Sequence, residues 1–148
     1  MGPPNSSWAS KVSRDTLYIH LVGDQSMTVF RKDRNETHSM HGNHIAGVAT
    51  PSNGAQQVEM WRGRMDANSA TPPLFHNTEE VVLFLKGSGR ATVGDTEVTY
   101  QAGDTLILPP DQVHQIFAES ESEFVSASPI GGTVCLPDGV VVELPWRK

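Results

Sequence analysis

Short runs rich in β-branched and aromatic residues follow one another along almost the whole chain, and turn-forming residues separate them. Nowhere do apolar residues recur over a long stretch with the 3.6-residue period of an amphipathic helix. The runs that predict strands span residues 16–22, 27–31, 44–49, 57–65, 81–85, 89–93, 97–100, 105–108, 112–117, 123–128 and 139–144. Many short strands at such close spacing favour an all-β fold, in which antiparallel strands form a sandwich or a barrel.

The 148 residues are enough for one compact domain with a sizeable core. Residues 1–26, which begin with a polar stretch, are predicted to form an N-terminal arm. Within it, residues 17–22 are a candidate edge strand, for instance for a second subunit. Met27 is an alternative natural start, in which case the arm is an added leader. The globular domain is expected over residues 27–148.

The composition excludes several classes of partner. A formal net charge of −6 argues against nucleic acid and anionic membrane surfaces. The single cysteine, Cys135, rules out an internal disulfide, and we interpret it as a packed side chain rather than a nucleophile. No apolar run approaches the roughly 20 residues that span a bilayer, and residues 1–15 lack the apolar centre of a signal peptide. A cytoplasmic protein is therefore expected.

Residues 71–87, TPPLFHNTEEVVLFLKG, carry a histidine and a glutamate four residues apart. Residues of equal parity share one face of a regular strand, so Leu74, His76 and Glu80 are expected to face the same side. Imidazole nitrogen and carboxylate oxygen together suit a divalent metal. For this pair alone, however, ordinary surface residues are the simpler interpretation.

A second stretch, GDTLILPPDQVHQIF at residues 103–117, places His114 after a Pro-Pro-Asp turn. Together the two stretches resemble the two motifs of the cupin family. The positions that fit the family's spacings are His76, Glu80 and Gly87 in the first motif and Gly103, Pro109 and His114 in the second. The resemblance covers residues 72–117. It implies a cupin-type antiparallel jelly-roll β-barrel with a metal inside its mouth, bound by His76, Glu80 and His114.

Four positions depart from the family pattern. Leu74 stands at the first histidine of the first motif, Asn68 at its opening glycine, Asp111 at the glycine of the second motif and Ala118 at its asparagine. Two histidines and one carboxylate remain, a set that leaves coordination positions open for substrate or dioxygen. Fe(II), Zn and Mn are all compatible with it. The alternative is a degenerate cupin that no longer binds metal.

A replacement for the donor missing at Leu74 is expected from water or from a neighbouring strand. The stretch THSMHGNHIAG contains His38, His41 and His44. We interpret His38 and His41 as solvated loop residues. His44 begins a predicted strand that could cross the barrel wall, so it is the candidate fourth metal ligand.

The resemblance implies one divalent transition metal and a small organic substrate. Our leading interpretation is a metal-dependent enzyme that uses Lewis-acid carbonyl or enolate chemistry, such as a polyketide cyclase or isomerase. A non-haem iron dioxygenase is the first alternative, and a non-catalytic small-molecule sensor or carrier is the second. Because the family commonly dimerises, a homodimer is expected. The sequence leaves open whether the face of Val58 or that of Glu59 lines the lumen.

Overall fold

The computed structural model describes residues 20–22, 25–27, 29–32 and 35–147. By its internal contacts the chain divides into two units, residues 1–30 and residues 31–148.

Among its described residues, the first unit contains an antiparallel strand pair. Strand β1 (His20–Val22) pairs with β2 (Gln25–Met27), so that His20 lies opposite Met27. The beginning of the predicted strand 16–22 lies outside the described residues. The strand predicted over 27–31 is wrong at residues 29–31, because these residues belong to no strand and bury no face against a sheet.

The second unit is built from antiparallel strands. Its strands are β3 (His38–Met40), β4 (Asn43–Ala49), β5 (Val58–Met65), β6 (Phe75–His76), β7 (Glu80–Lys86), β8 (Ser88–Val93), β9 (Thr96–Gln101), β10 (Thr105–Leu108), β11 (His114–Ala118), β12 (Ser122–Pro129), β13 (Val134–Cys135) and β14 (Val141–Val142). Short 3-10 turns occur at Pro51–Asn53 and Pro145–Arg147. Within the described part of the chain, no helical segment could span a membrane.

Two layers of strands enclose the core. One layer is a six-stranded sheet in the order β10-β7-β12-β5-β4-β3. The other consists of the sheets β11-β8-β9 and β14-β13-β6, which two isolated bridges, Ala70 with Phe117 and Leu74 with His114, connect. These are the layers of an antiparallel jelly roll, so the predicted all-β class is confirmed.

Alternation along each strand decides which side chains fill the space between the layers. On β5 the inward residues include Glu59, Trp61 and Met65, which are at most 3% exposed. The face of Glu59, and not that of Val58, therefore lines the lumen. Phe84 of β7, in the same layer, stacks on Tyr100 of β9, in the facing layer, with ring centroids 3.7 Å apart. Trp61, Met65, Phe84 and Tyr100 belong to one buried hydrophobic core between the layers.

The strand pattern predicted short strands less well than long ones. The short strands β3, β6 and β13 were missed, and the predicted strand 139–144 shortens to Val141–Val142. The expectation of a regular strand through Leu74 and Glu80 is wrong. Strand β6 pairs with β13 in one layer, whereas β7 pairs with β10 and β12 in the other, so the chain changes layers at residues 77–79.

Candidate metal centre

Three buried polar side chains converge at one end of the barrel. His76 is the last residue of β6, Glu80 the first of β7 and His114 the first of β11. One potential ligand atom of each lies within 4.8 Å of those of the other two. Each residue is only 6% exposed. The structure thus brings together the three residues that the cupin resemblance nominated, although they come from three different strands.

Because the chain crosses from one layer to the other at residues 77–79, the side chains of His76 and Glu80 converge. The Asn77 backbone N–H donates to the Thr133 carbonyl (3.1 Å), and the Thr133 N–H donates to Asn77 Oδ1 (2.7 Å). Gly132 leaves room for Thr78, since a Cβ at Gly132 would lie 2.5 Å from Thr78 Oγ1. The segment that precedes β13 therefore holds this crossing in place.

A tight turn sets the position of His114. The Asp111 N–H donates to the His76 carbonyl (2.7 Å), which ties the turn to the first histidine. Asp111 has a φ of 61°, and Asn68 has a φ of 63°. Aspartate and asparagine are the side chains that best tolerate this left-handed region. The two departures from family glycines therefore preserve the backbone conformation that glycine would provide.

The ring of His114 is fixed in one orientation. Its Nδ1 lies 3.3 Å from the Gln112 carbonyl oxygen, which accepts a hydrogen bond when Nδ1 carries the proton. That contact favours the tautomer in which Nε2 keeps its lone pair, as a metal ligand requires. The ring of His76 stands edge-on to it, with centroids 4.9 Å apart.

Glu80 is held as an ionised carboxylate. The fully buried Ser126 hydroxyl donates to Glu80 Oε1, and His76 Nδ1 lies 2.9 Å from Glu80 Oε2. Burial by itself raises the pKa of Glu80, but the polar contacts from His76 and Ser126 and the nearby imidazole of His114 outweigh it, so the pKa lies below its usual value. Burial also lowers the pKa of His114. At neutral pH both groups are in the forms that bind metal.

The donor set fits a divalent metal. His76 Nδ1 approaches Glu80 closely, yet the contact is not aligned as a hydrogen bond, and this buried nitrogen has no hydrogen-bond partner. A buried nitrogen without a partner is costly unless something else satisfies it. Two imidazoles and one carboxylate are the ligands that Zn, Fe(II) and Mn share. The residues therefore match the ion that the family resemblance implies.

His44 does not join this cluster. It lies on β4, where its Nδ1 contacts Ser39 Oγ (2.8 Å) and its Nε2 contacts the Asp66 carboxylate (3.2 Å). With both ring nitrogens engaged there, His44 is not the fourth ligand in this structure. His38 and His41 lie on β3 and in the turn that follows it, also outside the group of three.

Leu74 lies directly beside His114. The two residues exchange backbone hydrogen bonds of 3.1 and 2.8 Å, so they are opposed across adjacent strands. Side chains of such a pair stand on the same face. The apolar side chain of Leu74 is therefore on the metal side of the strand.

Ser126 is a site residue that the sequence did not indicate. It stands 46 residues from Glu80 in a serine-containing strand, with no local pattern that marks it. The only available signal was alternation on β12, which groups Ser122, Phe124, Ser126 and Ser128 on one face. That pattern does not say which strand lies opposite, so it does not pair Ser126 with Glu80.

Comparison with known proteins agrees with the fold and the motifs. Residues 61–127 match the model of the Cupin domain family. Auxin-binding protein 4 of Zea mays is 27% identical over 89 residues, which are 54% of this chain and 44% of that protein. Gentisate 1,2-dioxygenase of Haloferax sp is 22% identical over 102 residues, 67% of this chain and 28% of that protein. The chain thus spans about half or less of the length of these relatives.

Among solved structures, the chain is similar to the polyketide cyclase RemF from Streptomyces resistomycificus. The TM-score is 0.64 at 17% identity, and the match covers 82% of this chain and 91% of that one. At this identity the likeness concerns the fold. The match to the Cupin domain family over residues 61–127 and the paired motifs support a small member of the cupin superfamily.

Proposed function

We propose that this cupin is a metal-dependent enzyme that acts on a small organic molecule through carbonyl or enolate chemistry, such as polyketide cyclisation or isomerisation. The observation that carries the proposal is the buried set of His76, Glu80 and His114 at one end of the barrel. The likeness of the fold to a polyketide cyclase supports the choice of reaction class.

The three residues would hold one divalent ion, Zn, Fe or Mn. Bound there, such an ion supplies a Lewis acid that polarises a carbonyl and stabilises negative charge on its oxygen. Ser126 orients the Glu80 carboxylate, and the Gln112 carbonyl orients the His114 ring. Because Leu74 has no donor atom, the coordination position on its side of the cluster would be left for a substrate oxygen.

The lumen around the site suits an organic substrate rather than a highly charged one. The inward side chains next to the site are apolar: Leu74 lies beside His114, and Trp61 and Val82, which are at most 3% exposed, flank Ser126 on the two neighbouring strands. Such a wall excludes water and strengthens the electrostatic effect of groups inside it. Small molecules with an apolar skeleton and two neighbouring oxygens, such as 1,3-dicarbonyl compounds, match this combination.

The proposal is tested first by metal content. Elemental analysis of protein purified without added metal should find about one divalent ion per chain, consistent with one ligand set of this type. His76→Ala and His114→Ala should each lose it while the circular dichroism spectrum stays that of a β-protein. His38→Ala is the matched control and should keep it. Unchanged metal content in both site variants would show that the ligand assignment is wrong.

Reaction class is tested with a 1,3-dicarbonyl compound in deuterated water. The metal-loaded protein should speed exchange of the proton between the two carbonyls, as observed by NMR, and His76→Ala should not. Exchange no faster than with the His76→Ala protein would argue against enolate chemistry at this site.

A non-haem iron dioxygenase is the second candidate. Two histidines and one carboxylate are the ligand set of Fe(II) oxygenases, and the sequence match to gentisate 1,2-dioxygenase supports the same class. Oxygen uptake by the Fe(II)-loaded protein with dihydroxylated aromatic acids would favour this activity.

A non-catalytic carrier is the third candidate function, supported by the match to auxin-binding protein 4. Reversible binding of an organic acid without turnover would favour it.

We also propose a homodimer. The outer face of β7 and the neighbouring edge strand β10 expose Leu83, Leu85 and Ile107 at 39–59%. Exposed apolar side chains on an edge strand and its neighbour favour association with a second copy. Light scattering at micromolar concentration should give about twice the chain mass of 16.1 kDa. A monomer would contradict this.

A further inference from the structure

Residues 143–147, here called the closing segment, connect the two layers at one end of the barrel. The segment follows β14, which pairs with β13 in one layer. It ends in the turn Pro145–Arg147, which packs against β4 in the other layer. A Cβ at Gly47 of β4 would collide with the Trp146 carbonyl, so glycine at this position permits the close approach.

Arg147 anchors the closing segment to both layers. Its Nη2 lies 2.5 Å from Oε1 of Glu59 on β5, and its Nη1 donates to the Gly132 carbonyl (2.8 Å). The guanidinium also lies 5.8 Å from the ring centroid of Trp61. Glu59 is 1% exposed, and its other contact is the Ser128 hydroxyl at 3.3 Å. A carboxylate so buried needs a cation or several donors, and Arg147 is the cation.

Strand register places this ion pair level with the metal centre. Ser128 lies opposite Glu59 across β12 and β5. On its other side β12 pairs with β7, where Ala127 lies opposite Val81, and the next step of this antiparallel register leads from Ser128 to Glu80. Glu80, Ser128 and Glu59 thus form one inward row across three strands. Two strand spacings separate the two glutamates, about 10 Å between backbones.

The strands of the other layer place the closing segment at the same end of the barrel. Val134 pairs with His76, and Arg147 binds the carbonyl of Gly132, two residues earlier. The closing segment therefore crosses the barrel at the end that holds His76, Glu80 and His114. Since each of these residues is only 6% exposed, neither a metal ion nor a substrate reaches them freely in this conformation.

We propose that the closing segment is a gate over the metal centre and that the Arg147–Glu59 ion pair is its latch. The proposal rests on the metal centre assigned above. A groove of about 310 Å³ lies beside the gate, lined by residues 132–134 and 141–144 and by Arg147. Val141 and Val142 give the groove an apolar part, and Glu143 and Arg147 give it a charged part, so it suits the entry of a small organic molecule that carries a polar group. Opening separates Glu59 from its cation, which keeps the gate closed most of the time.

Removal of the latch should speed access to the centre without changing its ligands. Arg147→Met keeps the length of the side chain and removes its charge. The rate at which excess chelator withdraws Zn²⁺ should rise by about tenfold or more, as expected for a gate whose open fraction rises by that factor. The equilibrium affinity for Zn²⁺ should change by less than about threefold, because all three ligands remain. Arg62→Met, on the outward face of the same strand as Glu59, is the matched control and should leave the rate unchanged.

A second variant displaces the gate without altering any charge. Gly47→Ala adds a methyl group against the Trp146 carbonyl and should also speed withdrawal of Zn²⁺. Hydrogen–deuterium exchange of the metal-free protein provides an independent readout. The amides of residues 136–147 should exchange faster in Arg147→Met and Gly47→Ala than in the wild type or in Arg62→Met.

The outcomes separate the gate from the proposed function. If the protein binds no Zn²⁺ but both variants speed amide exchange, the metal assignment is wrong, while the role of the Arg147–Glu59 ion pair in holding the closing segment is supported. If exchange and withdrawal rates match the wild type in both variants, the gate is overturned. An equilibrium affinity that falls as much as the withdrawal rate rises would also overturn it, because the segment would then stabilise the bound ion rather than control access.

Discussion

Ser126→Ala should weaken metal binding although Ser126 is not a ligand. Its hydroxyl, which is fully buried, donates to Oε1 of Glu80 and leaves Oε2 facing His76. Hydrogen bonds from neighbouring residues that orient a metal ligand are typically worth about 10- to 100-fold in affinity. That range corresponds to about 1.4–2.7 kcal/mol. It agrees with the roughly 1.5–3 kcal/mol expected for a hydrogen bond to a charged group.

The metal-free protein should lose stability by a similar amount. Without Ser126, one oxygen of a deeply buried carboxylate loses its donor, and the free energy of unfolding should fall by about 1.5–3 kcal/mol. For a chain of this length, that is a decrease in Tm of roughly 3–12 °C. Competition with a chromophoric chelator measures the affinity for Zn²⁺, and thermal unfolding followed by circular dichroism measures stability.

Ser128→Ala provides the control. Ser128 lies on the same face of β12, two residues away, and is also buried, but it contacts Glu59 at 3.3 Å instead of Glu80. Its loss should leave the affinity for Zn²⁺ within about threefold of the wild type. If Ser126→Ala lowers stability but not affinity, the hydroxyl does not position a ligand. If both variants lose affinity equally, the effect comes from disturbed packing of β12 and the reasoning fails.

Three further predictions concern acid, the ligand gap and the core. The metal-free protein should lose stability as pH falls below 6.5, because burial lowers the pKa of His114 and the unfolded chain therefore binds this proton first. It should lose more stability below 4.5, because the pKa of Glu80 is also lowered in the folded protein and the unfolded chain again binds the proton first. Unfolding by denaturant between pH 7 and pH 3 measures this, and His114→Gln and Glu80→Gln should each flatten their own part of the curve; an unaltered curve would contradict it. Leu74→His adds a fourth donor beside His114 and should tighten Zn²⁺ binding by tenfold or more by the same competition assay; no change would mean that position 74 does not face the metal. Gly63→Ala puts a methyl group into the Phe124 ring and should destabilise the protein by about 1–3 kcal/mol, seen as a lower Tm, whereas an unchanged Tm would show that the ring moves aside.

Much of the fold was predictable because strand patterns are local. Alternation of side chains and the turn residues between runs predicted an all-β sandwich or barrel, and most long strands were placed within a few residues. The short strands β3, β6 and β13 were missed, since two or three residues carry too little pattern to stand out. They exist because a neighbouring strand supplies their hydrogen bonds.

For the candidate site, the resemblance to the two cupin motifs nominated His76, Glu80 and His114, and it could be recognised because each motif lies within a short stretch of chain. The reason that His76 and Glu80 meet was not visible. We expected one regular strand, whereas the structure has a crossing between two layers that Asn77 and Thr133 stabilise.

Contacts between distant strands were decided by the tertiary structure alone. Ser126 meets Glu80, Arg147 meets Glu59, and Asp66 engages His44, whose part in the site the sequence could not judge. Such pairings depend on strand order and register, which the packing of the whole barrel sets, and a shift of one residue would turn each side chain to the opposite face. The sequence by itself therefore determined which residues have ligand chemistry, and the packing of the two layers determined which of them meet and how the centre is enclosed.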